Sequence, residues 1–175
     1  MDAFDADVLI YAAVPGHVLG RRVRALFPIE PTDDTGAIAG TGSVLLIAEL
    51  LTKPMRNGDE NELDALAALL SRLELRPTDE ATANLATALG ASYGLRAADA
   101  IHLATAVSTG ADRFITNNAS DFSKDIAEID VTYPSDLPDP VGNGRRTLSV
   151  ARTAPTTNRV SRRSSTRSRR RGWRR

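Results

Sequence analysis

Short apolar segments alternate with longer helical ones through the first 137 residues, and no other feature of the sequence constrains the fold as tightly. The first short segment is confined to the few residues before Asp5. Behind it, VLIYAA is apolar on every side and suits a buried helix as well as a strand. Pro15-Gly16 breaks that run, and HVLGRRVRALF reads as an amphipathic helix with Val18, Val23, Leu26 and Phe27 turned inward. Residues 28–42 mix turn chemistry with a short strand expected around Ala37-Ile38-Ala39. SVLLIAELLTK predicts an apolar helix with one acid, Glu49, in its middle. ENELDALAALLSRLEL predicts another, with Leu63, Leu66, Leu70 and Leu73 at helical spacing and Pro77 as its stop. Thr78 or Asp79 caps the next helix, which ends at Gly94, and AADAIHLATAVSTG ends similarly at Gly110. RFIT reads as a strand, NN as a turn, and a last strand falls around Ile129 to Tyr133. Strands alternating with helices predict an α/β domain with a doubly wound parallel sheet.

Charge divides the 175-residue chain in two. From Arg145 onward there are 12 arginines and no acid, so residues 1–144 hold 10 basic against 22 acidic residues, a net charge of −12. Residues 1–137 read as one domain, and 138–175 as an Arg/Ser-rich disordered tail too poor in apolar residues to build a core. The absence of cysteine excludes disulfides and thiolate metal sites, and two histidines, His17 and His102, cannot make a histidine-rich zinc site. No secretory signal stands at the N-terminus, and no apolar run reaches the roughly 18 residues of a membrane helix. The expectation is a cytoplasmic protein with no membrane contact.

Four carboxylates lie where charge is unexpected or well aimed. Asp5 ends the first strand, Glu49 interrupts an apolar helix, Asp99 opens another, and Asp121 follows the strand and turn FITNN. In a parallel sheet, strand ends and the helix starts behind them converge on one crevice. Acids gathered there raise one another's pKa unless a positive charge joins them. A hard divalent cation such as Mg²⁺ or Mn²⁺ prefers such oxygen ligands and can neutralise charge on a phosphodiester. Simpler roles compete: Asp7 or Asp5 as an N-cap, Asp99 as a cap of its own helix, Asp121 as loop chemistry, and His102 as a packed, hydrogen-bonded residue. Glu49 resists a simple role, because an acid within IAELL needs a partner if buried.

The stretches FDADVLIYAA, SVLLIAELLTKP, LRAADAIHLATA, GADRFITNNASDF and IDVTYPSDL together resemble the PIN domain family, in particular the VapC-type toxin ribonucleases of bacterial toxin–antitoxin pairs. The resemblance spans residues 1–137. It implies a three-layer fold with a central parallel sheet flanked by helices, and a Mg²⁺- or Mn²⁺-dependent endoribonuclease. It also implies a homodimer and a small cognate antitoxin. By position, Asp5, Glu49 and Asp99 match three family acids, with Asp5 and Asp99 holding the metal. Asp7 and Thr116 match supporting positions. The family's fourth acid stands two residues after that threonine, where this chain has Asn118. Either Asn118 or Asp121 is left to fill that position.

Arginines of the tail, among them Arg162, Arg163, Arg169, Arg170 and Arg171, could grip RNA phosphates in a salt-sensitive way. Two other readings remain open. One is a PIN-like module that binds RNA or protein without cutting. The other is a haloacid dehalogenase-like phosphatase, suggested by the DAD of residues 5–7 and FIT of residues 114–116.

Overall fold

The computed structural model describes residues 1–27 and 38–140. Five short strands make the sheet: β1 (Asp2–Phe4), β2 (Gly40–Ser43), β3 (Leu73–Arg76), β4 (Arg113–Ile115) and β5 (Asp130–Thr132). All neighbours run parallel, in the order β3-β2-β1-β4-β5. Parallel neighbours need long crossovers, which here are helices that cover both faces. The helices are α1 (Ala6–Ala13), α2 (Val18–Arg24), α3 (Leu45–Asn57), α4 (Glu60–Leu70), α5 (Glu80–Tyr93) and α6 (Ala97–Ser108).

Alternation along each strand sends neighbouring side chains to opposite faces. Phe4 and Ile115 join a core with Leu9 of α1, Val23 of α2, Leu46 of α3 and Leu66 of α4. Ala3 and Phe114 join a second core with Leu89 of α5 and Leu103 of α6. The result is the three-layer α/β arrangement expected from the sequence. After β1 the chain builds β2 and β3 on one side, then crosses to place β4 and β5 on the other. That reversal opens a crevice at the carboxyl ends of β1 and β4.

The structure corrects the sequence reading at several points. The strand expected around Ala37-Ile38-Ala39 is GTGS, residues 40–43; Ala37 lies outside the described residues and Ile38 is exposed. Gly40 fits because a Cβ there would run into the Asp2 carbonyl oxygen and the Phe4 ring. Thr41 is fully buried and donates its hydroxyl to the Glu74 carbonyl, 3.0 Å away. Leu73 belongs to β3 rather than to α4, which stops at Leu70, because LELR pairs with β2. Val18 begins α2 but points to solvent, while Val23 and Phe27 are buried.

Asp79, not Thr78, caps α5, accepting from the Thr82 amide at 2.8 Å. Gly94 ends that helix in the left-handed region, which costs a residue without Cβ little. Beyond residue 140, the expected tail lies outside the described residues. Among the described residues no helix is long and apolar enough to cross a membrane.

Candidate active site

Asp5 leaves β1 and caps α1. Its backbone is extended, and its Oδ1 accepts from the Ala6 amide at 2.8 Å. Its amide donates to the Ile115 carbonyl at 3.0 Å, which ties the end of β1 to the end of β4. Its Oδ2 accepts from the Thr116 hydroxyl at 2.7 Å, and Thr116 is wholly buried. The same hydroxyl accepts from the Asn118 amide at 3.1 Å, so donor and acceptor directions are both fixed. Asp7 is therefore not the cap. It sits in the first turn of α1 and accepts from the Asn117 amide at 3.1 Å.

Asp99 is also not a cap. The cap position of α6 is Arg96, and Asp99 lies half-buried in the first turn. Both α1 and α6 thus aim their positive ends at carboxylates, which offsets part of the crowding of charge.

The remaining crowding is visible in the proton affinities. Burial pushes the Asp5 carboxyl above the ordinary range against the Thr116 and Ala6 hydrogen bonds, with Glu49's charge adding to the rise. Burial, then the charge of Asp5, raises Asp7 to about 7, with a smaller contribution from Asp99. Asp99 is raised by burial, then by Asp5 and Asp121. The strand ends thus bring Asp5, Asp7 and Asp99 into one electrostatically coupled group, with Asp121 at its edge.

Glu49 reaches this group from α3 and pairs with His102 of α6, Oε2 to Nε2 at 2.8 Å. The Glu49 side chain is about a third exposed, whereas His102 is buried, as a packed and hydrogen-bonded residue should be. Burial alone would lower the His102 pKa. The Glu49 hydrogen bond and charge, joined by Asp5 and Asp99, outweigh it and hold the imidazole above its ordinary value. Its Nδ1 is buried without a hydrogen-bond partner. The pair links the helix layers on the two faces of the sheet.

Asn118 holds Asp121 in place. Its Nδ2 donates to the Asp121 Oδ2 at 2.8 Å, and its Oδ1 accepts from the Ser120 hydroxyl at 2.7 Å. Phe122, fully buried and set edge-on against Phe114 at 5.0 Å, anchors this exposed loop in the second core. Two features escape sequence reasoning. One is the Asn117 amide on Asp7, since a backbone donor leaves no sequence signal. The other is the choice of Glu49 as the partner of His102, 53 residues away.

The donor set suits a hard divalent cation: oxygen ligands only, of which Asp5, Asp7 and Asp99 hold their protons more tightly than usual, first because they are buried and then because other carboxylates lie nearby. Among the described residues no three His, Asp or Glu side chains are gathered closely enough to hold an ion alone. Mg²⁺ asks for less, being bound through one or two carboxylates with water and phosphate completing its shell.

Comparisons with known proteins agree with this fold. The family model of the PIN domain matches residues 3–125. The fold is similar to a chain of a toxin-antitoxin complex from Klebsiella pneumoniae, with 25% sequence identity and a TM-score of 0.58, covering 77% of this chain and 98% of that one. It is similar in fold to a chain of VapBC2 from Rickettsia felis bound to a DNA fragment from its promoter, at 17% identity and a TM-score of 0.57, covering 75% and 97%. A chain of FitAB bound to the IR36 DNA fragment gives 21% identity and 0.55, covering 79% and 98%. A comparison with curated protein sequences gives no match. The chain belongs to the PIN domain family, which displaces the haloacid dehalogenase-like alternative.

Proposed function

We propose that this protein is a Mg²⁺- or Mn²⁺-dependent endoribonuclease, acting as the toxin of a toxin–antitoxin pair. The observation that carries the reading is the coupled carboxylate group at the ends of β1 and β4. Burial raises the pKa of Asp5, Asp7 and Asp99, with the charge of Glu49 adding to Asp5 and that of Asp5 adding to Asp7 and Asp99. Such a group is costly unless a cation joins it. Asp5 and Asp99 would hold the cation. Bound there, it would supply the counter-charge and Lewis acidity needed to hydrolyse an RNA phosphodiester.

The chain's own residues set the geometry. Thr116 fixes the Asp5 carboxylate, Asn117 fixes Asp7, and His102 fixes Glu49 at the open edge, where it can orient a water or accept its proton. Asn118 holds Asp121 near Asp99 as the outer acid. Positioning and charge neutralisation are the catalytic content. Similarity to a toxin-antitoxin complex supports a small antitoxin partner, and the same reading carries a homodimer.

A second reading, a PIN module that binds RNA or protein without cutting, draws on Asn118 in place of a fourth acid and on the loose grouping of the carboxylates. Incubation with structured RNA separates the two. Cleavage in Mn²⁺ that stops in EDTA is expected. Cleavage persisting in EDTA overturns the metal mechanism, and binding without cleavage favours the module.

A further inference from the structure

Ten lysines and arginines precede residue 145, all of them among the described residues. Most are engaged inside the fold. Arg21, Arg76, Arg113 and Lys124 pair with carboxylates, Arg22 and Arg24 with backbone carbonyls, and Arg72 is engaged as well. Three have side chains with neither a hydrogen bond nor an ion pair among the described residues: Lys53, Arg56 and Arg96. All three are exposed.

Their placement follows the candidate site. Lys53 and Arg56 lie four and seven residues beyond Glu49 on α3, which puts them on the Glu49 face, about 6 Å and about 10 Å further along the axis. Arg96 occupies the cap position of α6, three residues before Asp99, and its charge is felt there. A side-chain hydrogen bond between Glu49 and His102 links the two helices.

We infer that Lys53, Arg56 and Arg96 form a phosphate track that holds the backbone of a single polynucleotide strand across the carboxylate site. The inference deepens the nuclease reading and rests on it. A body with a net charge of −12 repels a polyanion, so a strand reaching the acids needs local cations that are not already neutralised. Phosphate contacts of this kind set register and orientation and carry no sequence information.

Fluorescence anisotropy with a single-stranded RNA, in EDTA so that nothing is cut, tests the track in the full chain. A variant carrying Lys53→Gln, Arg56→Gln and Arg96→Gln should bind more weakly, and its slope of log affinity against log salt should shrink by about 2, at about 0.7 per lost phosphate contact. The charge-retaining set Lys53→Arg, Arg56→Lys and Arg96→Lys should keep the slope, which separates charge from fold. A DNA strand of the same sequence reports which polymer the track accepts, and an equal loss with DNA still supports it. Unchanged affinity and slope in the neutral variant, or no strand bound by the wild type, would overturn the track. RNA cleavage with an unchanged slope removes the track and leaves the nuclease. A reduced slope without cleavage of any RNA keeps the track and removes the nuclease.

Discussion

Asp7 is a carboxylate whose proton affinity lies near neutrality, raised to about 7 by burial first and by Asp5 second. Its folded pKa exceeds the unfolded value of 3.8, so the folded chain binds this proton more tightly. Its contribution to stability is therefore complete below about pH 4 and is lost as pH rises through about 7. His102, raised above 6.5, acts in the same direction at higher pH. Thermal melting in EDTA should show stability falling between pH 5 and pH 8. Asp7→Asn should flatten that fall and gain on the order of 2–4 kcal/mol at pH 8. A wild-type melting temperature constant over that interval contradicts the coupling.

Glu49 depends on a different residue. His102→Phe removes its donor while keeping the core filled, and RNA cleavage should drop about 10- to 100-fold, as for other residues that orient a site group. A cleavage rate within twofold of wild type, at an unchanged melting temperature, would mean that His102 only packs.

At the scale of elements, β2 is the instructive case. GTGS carries none of the β-branched apolar alternation that marks a strand apart from its one threonine, and nearby Ile38 draws attention to the wrong three residues. Gly40 answers to a close neighbour that is distant in sequence. Gly40→Ala would drive a Cβ into β1, and urea unfolding should report a loss of about 1–3 kcal/mol; a loss under 0.5 kcal/mol would mean that β1 and β2 yield easily. Likewise α4 and β3 merge in the sequence because Leu73 continues the leucine spacing of the helix. The helix ends were more legible, since Asp79, Gly94 and Gly110 are local signals. Asp5 and Asp99 could be singled out because each stands beside an element boundary. Which aspartate capped α1 could not, because Asp5 and Asp7 offer the same chemistry two residues apart, and the Thr116 contact that fixes Asp5 crosses 111 residues.

Over the whole molecule, the strand order turns local signals into a site. Asp5, Thr116 and Asn117 come from the ends of β1 and β4, Glu49 from α3 and Asp99 from α6, and only the reversal at β1 brings them together. The division of charge was plain in the sequence. The engagement of seven of the ten cations that precede residue 145 was not, and it leaves three whose side chains make no hydrogen bond or ion pair among the described residues, on the two helices that carry Glu49 and Asp99.

The central claim is that these carboxylates cut RNA with a divalent cation held at Asp5 and Asp99. The most direct measurement is RNA cleavage in Mn²⁺ by the wild type beside Asp99→Asn, a substitution that removes one charge and keeps the shape. The account predicts loss of cleavage, by at least 100-fold on the scale of removing a group that stabilises transition-state charge, with the fold retained. Cleavage by Asp99→Asn at the wild-type rate would contradict it.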